Sequence, residues 1–170
     1  MRHRIFIAIN LPEDIKEKLV NYQRKWPELP IRWIKKDNLH ITLEFLGYLS
    51  DDEISKVCQN TKKLASKRKP FSITFNKIFY GPPKKMPPRM VWVVGEKIQE
   101  FDLSPHVTLG RIRAWEFRQI EPEERPKVEE EINLSFEVNS IEVMESVLKK
   151  GGPKYTILES CKFISSASEE

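Results

Sequence analysis

The chain contains three histidines, and two of them sit in matching surroundings, Leu39-His40-Ile41-Thr42-Leu43 and Pro105-His106-Val107-Thr108-Leu109. Each copy reads His-x-Thr-x with an aliphatic residue at both x positions. Side chains alternate between the two faces of a strand, so His40 and Thr42 share one face and Ile41 and Leu43 the other. The same holds for His106 and Thr108 against Val107 and Leu109. The aliphatic side can bury, which leaves the polar side to line a site. If the two strands approach, two imidazoles and two hydroxyls converge. Imidazoles titrate near neutrality and can serve as one general acid and one general base. Threonine hydroxyls donate to phosphate oxygens. No cysteine or serine is marked out as a nucleophile, and no cluster has metal-ligand spacing. The chemistry indicated is metal-free phosphoryl transfer, in which one histidine protonates a leaving oxygen and the other activates water on the opposite side. A single His-x-Thr-x carries little weight, because such a tetrapeptide arises by chance and a strand histidine is usually a satisfied core-edge residue. Two copies, using two of three histidines, are what make the argument.

The elements that must hold these residues follow from pattern. Ile5 to Ile9 reads as a buried strand. Residues 12 to 26 read as an amphipathic helix, with Pro12, Glu13 and Asp14 at its start and Ile15, Leu19, Tyr22 and Trp26 on one face. Arg32 to Ile34 and Leu39 to Leu46 read as strands. Ser50-Asp51-Asp52-Glu53 is a capping box, and Ile54, Val57, Cys58, Leu64 and Ala65 mark the buried face of the helix it opens. Phe71, Ile73 and Phe75 alternate with polar residues as a half-buried strand does. Gly81 to Arg89 contains four prolines and is expected to be a stiff basic loop. Met90 to Val94 and His106 to Ile112 read as strands, and Glu121 to Ile132 as an acidic solvated helix. Leu134 to Val147 and Tyr155 to Phe163 read as a hairpin-like pair, and Ser165 to Glu170 as a frayed tail. About eight strands and three helices result, an α+β arrangement.

Composition narrows the class. The 170 residues are 39% hydrophobic and 32% charged, enough apolar material for a packed core. No run approaches a membrane span, and the start of the chain lacks the features of a signal peptide, so a cytoplasmic protein is expected. Cys58 and Cys161 lie far apart and read as ordinary thiols. The net charge of +4 permits a phosphate-bearing partner without demanding one. The Lys67-Arg68-Lys69 run and the basic loop read first as solvated faces.

The paired motifs with their flanks resemble the 2H phosphoesterase superfamily, and within it the RNA 2',3'-cyclic phosphodiesterases, historically 2'-5' RNA ligases of the LigT type. The similarity runs over nearly the whole chain: Arg4 to Ile9, Asn38 to Gly47, Arg89 to Trp92, Ser104 to Arg111, and Lys150 to Tyr155. The resemblance implies a single bilobal α+β domain over residues 1–170, with two antiparallel-rich sheets around a central cleft and helices on the outside. It implies hydrolysis of a terminal ribose 2',3'-cyclic phosphate to a 2'-phosphomonoester, with reversible 2'-5' ligation, the same chemistry with a ribose 5'-hydroxyl in place of water, as a further reading. His40 matches the family's general acid and His106 its general base. Thr42 and Thr108 match the phosphate-binding threonines, and Arg111 matches a basic phosphate or substrate contact. No metal and no cofactor is implied. The implied partners are RNA ends with a 2',3'-cyclic phosphate, tRNA fragments among them, or cyclic nucleotides, acted on by a monomer with no membrane.

Two points stand against a simple transfer. Counting by two from His106 puts Gly110 and Ile112 on its face and turns Arg111 away, unless Gly110 permits a bulge; the alternative is a solvated arginine. The family also has a long helix before the second motif, whereas only nine residues, Gly95 to Leu103, stand here. Either the second lobe lacks this helix or further residues belong there. The second option is preferred, because a true deletion is expected to expose the aliphatic backs of two strands. Phe45 and Trp92 are expected to pack in the core, with base stacking as the alternative role. The competing function is an RNA-binding module that keeps the cleft without turnover.

Overall fold

Strand alternation and helix capping account for most elements in the computed structural model, which describes residues 1–164. In chain order these are β1 (His3–Asn10), α1 (Glu13–Gln23), β2 (Ile31–Trp33), β3 (His40–Leu49), α2 (Asp51–Ala65), β4 (Phe71–Gly81), β5 (Met90–Gly95), β6 (His106–Ile112), α3 (Ala114–Arg118), β7 (Glu129–Val138), β8 (Ser140–Lys149) and β9 (Gly152–Lys162). The chain divides into two units. The first comprises Met1–Asn10, His40–Ile73 and the chain from Phe136 on, and the second Leu11–Leu39 and Thr74–Ser135. Among the described residues no helix is long and apolar enough to cross a membrane.

The first sheet has the order β3-β1-β8-β9 and is antiparallel throughout. Helix α2 packs against β8 and β9. It begins as the capping box requires: the Ser50 hydroxyl accepts from the Glu53 N–H and the Glu53 carboxylate accepts from the Ser50 N–H. Its buried stripe differs from expectation at one place. Leu64 is exposed, and Thr61 is buried instead, its hydroxyl donating to the Val57 carbonyl at 2.7 Å. Thr61 continues the three-to-four-residue spacing from Ile54 and Val57 that leads to Ala65, and the internal hydrogen bond removes the cost of burying its oxygen.

The second sheet has the order β2-β6-β5-β4-β7. Helix α1 starts after Pro12 with two acidic residues in its first turn, and it stops at Gln23 rather than Trp26. Arg24 and Lys25 bond three residues back, and Trp26 leaves the helix to bury its ring and donate to the Lys127 carbonyl. Gln23, almost fully buried, donates from its amide to the carbonyls of Ile34 and Leu109 and so pins α1 to β6.

Three expectations are corrected here, the first that further residues belong between β5 and β6. The segment between β5 and β6 holds no α-helix: Ile98 and Leu103 pair as an isolated bridge around one 3-10 turn, with Asp102 left-handed at φ 49°. No further residues are needed to cover the strands, since Val91, Val93, Val107 and Leu109 are completely buried with α1 held against Leu109. The stretch from Glu121 to Ile132 is not a helix; it makes one 3-10 turn, Pro122–Glu124, and then enters β7. Pro126 interrupts any helix, and Ile132, Leu134, Phe136 and Val138 alternate with polar residues, so period two prevails. Leu134 to Val147 is therefore not one strand. Its first part closes the second sheet beside β4, and after Asn139 its second part forms β8 of the first sheet. The β8–β9 hairpin turns through Lys150 and Gly151, the latter at φ 96° where a side chain would be strained. The expected tail, Ser165 to Glu170, lies outside the described residues.

Candidate active site

The two motifs lie in different units, each at the start of a strand. In the first, β1 and β3 pair Asn10 with His40 and Ala8 with Thr42. The pairing then slips: Ile7 faces Glu44, so Leu43 is an extra residue in β3. A further slip at Leu46 follows, and Phe6 faces Phe45. Residues opposite one another in a ladder point to the same face, and Phe6, Ala8 and Asn10 share one parity. His40, Thr42 and Phe45 therefore share one face of the sheet.

His40 is half-buried, and its Nε2 lies 2.8 Å from the Thr42 hydroxyl. Two aromatic rings flank it. The Phe6 centroid is 5.1 Å away and tilted, and the Tyr155 centroid is 5.1 Å away and edge-on at 89°. Tyr155 also packs edge-on to Phe6, against a cluster of Phe6, Ala8 and Met144. Phe45 stands 6.0 Å from Phe6 and is 67% exposed, so it is not the core residue expected of it. The bulges turn it out onto the His40 face.

The second motif repeats this device. Strands β5 and β6 pair Val94 with His106 and Trp92 with Thr108, and then slip so that Val91 faces Gly110 and Met90 faces Arg111. Leu109 is the extra residue, at the same place after the threonine as Leu43. The burial run along β6 records the change of parity, because Leu109 and Gly110 are both buried and Arg111 is exposed. The bulge brings Arg111 onto the face of His106 and Thr108. The Thr108 hydroxyl and an Arg111 Nη1 donor converge on the Met90 sulfur, at 3.9 and 3.7 Å. Gly110 is what permits it: a Cβ there would come within 2.5 Å of Ile31 Cδ1 and 2.9 Å of Trp33 Cε3.

His106 is half-buried and lies flat on the Trp92 indole, with centroids 4.2 Å apart and planes 27° apart. Burial pushes its pKa below the ordinary imidazole value of 6.5, and a hydrogen bond with the Ser104 backbone pulls weakly the other way. The neutral ring is thus favoured, the form a general base needs. The third histidine has a different use. His3 is held by Glu145 at 2.5 Å and by Asp51 at 3.1 Å. Among the described residues no three His, Cys, Asp or Glu side chains are grouped to hold a metal ion.

Each unit therefore assembles a histidine, a threonine and one further side chain five positions after the histidine. Strand parity alone misses Phe45 and Arg111 as partners of the motifs, and the signal that places them is the bulge. Tyr155 and Phe6 carry no local mark either, since cross-strand contacts depend on a register that local pattern does not give.

The family described as LigT like phosphoesterase matches residues 9–92, which include the first motif. The RNA 2',3'-cyclic phosphodiesterase of Methanocaldococcus jannaschii is 25% identical over 92% of this chain and 98% of its own length. That of Thermotoga maritima is 26% identical over 94% and 95%. Among solved structures, a Thermus thermophilus protein superposes with a TM-score of 0.82, at 24% identity, over 96% of this chain and 99% of that one, a likeness of fold. E. coli LigT in complex with ATP gives 0.73 at 26% identity, over 96% and 99%.

Proposed function

From the similarity to the LigT-like phosphoesterases of the 2H superfamily, we propose that the chain is one of them and hydrolyses RNA-terminal 2',3'-cyclic phosphates to 2'-phosphomonoesters by a two-histidine mechanism. The observation that carries this reading is the repeated His-Thr face, with His106 biased toward its neutral form. His106 takes a proton from water as the water attacks phosphorus. The bond from phosphorus to the ribose 3' oxygen breaks, and His40 delivers a proton to that oxygen. A 2'-phosphate and a free 3'-hydroxyl result. Thr42, Thr108 and Arg111 hold the non-bridging oxygens, whose charge grows during attack. Met90 accepts from Thr108 and Arg111 through a weak thioether contact, which a phosphate oxygen displaces readily. The exposed Phe45 ring, on the His40 face, supplies a surface for a nucleobase.

The test is incubation with an oligoribonucleotide ending in a 2',3'-cyclic phosphate, followed by reading the position of the product phosphate. A 2'-phosphate that is lost in both the His40→Ala and His106→Ala proteins supports the reading. Tight binding with no turnover by the parent would replace it with an RNA-binding module.

A further inference from the structure

The indole of Trp92 is placed unlike an ordinary core tryptophan. It lies across Gly81, where a Cβ would sit only 2.3 Å from Trp92 Cδ2 and 2.7 Å from Cγ and Cε3. Only glycine lets the ring settle onto the β4 backbone in this way. The same indole carries the stacked His106 ring. Its Nε1 is buried and has no hydrogen-bond partner. An unpaired buried donor is costly, and a phenylalanine would fill the place without that cost. Indole offers a broader flat face than phenyl, and that face is what the imidazole uses.

We propose that Trp92, seated on Gly81, is the positioning residue for His106: it fixes the plane of the imidazole and keeps water from one of its faces. The inference rests on the reading of His106 as the general base and adds the residue that sets its orientation and protonation. Two cations share this face of the sheet. Arg111 lies beyond Thr108 on β6, and Lys77 on β4 faces Val94, opposite His106, with Glu129 3.5 Å from its ammonium. Burial, rather than either cation, is the leading cause of the lowered His106 pKa. Loss of the indole lets water reach the imidazole, and the gain in solvation of the imidazolium raises the His106 pKa. A cation–π attraction would act in the opposite sense. The burial-lowered pKa of the native ring agrees with desolvation as the larger effect.

The experiment follows the His106 ring protons by NMR across pH in the parent and in Trp92→Leu, Trp92→Phe and Gly81→Ala, with kcat and KM measured on a 2',3'-cyclic nucleotide. Trp92→Leu should raise the His106 titration midpoint and move the acidic limb of the rate profile with it. It should lower kcat about 10- to 100-fold, with the smaller share of the loss in KM. Trp92→Phe, which keeps an aromatic face, should recover most of both. Gly81→Ala displaces the indole without removing it and should shift the same His106 signal. In the Trp92→Leu background it should add nothing, the signature of a shared path. An unchanged or lowered His106 midpoint in both Trp92→Leu and Gly81→Ala overturns the proposal, as does equal loss of activity in the Leu and Phe proteins. The NMR midpoint needs no turnover. If the parent hydrolyses no cyclic phosphate, the proposed function fails while the titration still decides the role of Trp92.

Discussion

Replacing Gly110 by alanine tests the bulge that brings Arg111 onto the face of His106 and Thr108. The new methyl points into the buried side of β6, 2.5 Å from Ile31 Cδ1, 2.8 Å from Ile31 Cγ1 and 2.9 Å from Trp33 Cε3. All three are closer than carbon atoms approach, and Ile31 is β-branched and stiff at χ1. β2 pairs with β6 through Ile31↔Ile112, Arg32↔Arg111 and Trp33↔Gly110, so its side chains cannot retreat without loosening that edge. Overpacking of this kind costs about 1–3 kcal/mol. At roughly 2–4 °C per kcal/mol for a chain of this size, Tm should fall by about 2–12 °C. Ile31→Val removes the nearest atom. Alone it should cost about 0.5–1.5 kcal/mol. Combined with Gly110→Ala it should cost much less than the sum, because one methyl is deleted where another is added. Thermal melts of the four proteins at one pH and concentration measure the cycle. Gly151→Ala is the control: φ is 96° and nothing lies within 4 Å of the added atom, so it costs backbone strain alone and Ile31→Val should not relieve it. A Gly110→Ala protein that melts with the parent, or strict additivity with Ile31→Val, would refute the account of a closed face behind the bulge.

Three further outcomes are expected. A substrate with a very good leaving group needs no acid, so it should restore His40→Ala more than His106→Ala, and the double mutant should lose far less than the product of the two single losses; rescue in the opposite order reverses the roles. Turnover should survive EDTA, and loss restored by a divalent ion would sink the metal-free mechanism. His106 is held below 6.5 when folded, so the unfolded chain binds more protons as pH falls past that value, and stability drops. His106→Gln should therefore show a flatter urea midpoint between about pH 7 and 5 than the parent; identical slopes would show that His106 contributes nothing to the acid sensitivity.

The two motifs are legible in the sequence because they depend on residue type and on strand period, both local properties. The capping box at Ser50 is legible for the same reason. Errors gather where a distant partner decides the outcome. Glu129, Glu130 and Glu131 look like a solvated helix face, but they begin an edge strand beside β4 whose apolar members appear only from Ile132 on. Trp26 fits a helical stripe by spacing, and its indole is drawn instead to the carbonyl of Lys127. The missing helix before the second motif suggests an exposed patch, yet Val107 and Leu109 are buried, and α1, far earlier in the chain, is held against Leu109. Parity assigns Arg111 to the wrong face, and Gly110 is the one residue that signals why.

Repetition in this chain reaches deeper than the tetrapeptides. Leu43 and Leu109 are both extra residues, each one place after the threonine, and each brings the residue two positions later onto the histidine's face. In the first copy that residue is Phe45, an exposed apolar ring. In the second it is Arg111, a cation. The surroundings of the imidazoles diverge in the same way. Phe6 and Tyr155 flank His40, which bonds to Thr42, whereas His106 lies on an indole and is biased toward neutrality. Acid and base roles separate when environment, rather than residue type, distinguishes two like groups. The duplicated strand and bulge therefore supply equivalent frames, and what distinguishes the surroundings of His40 from those of His106 is Phe6 and Tyr155 in one frame and Gly81 and Trp92 in the other.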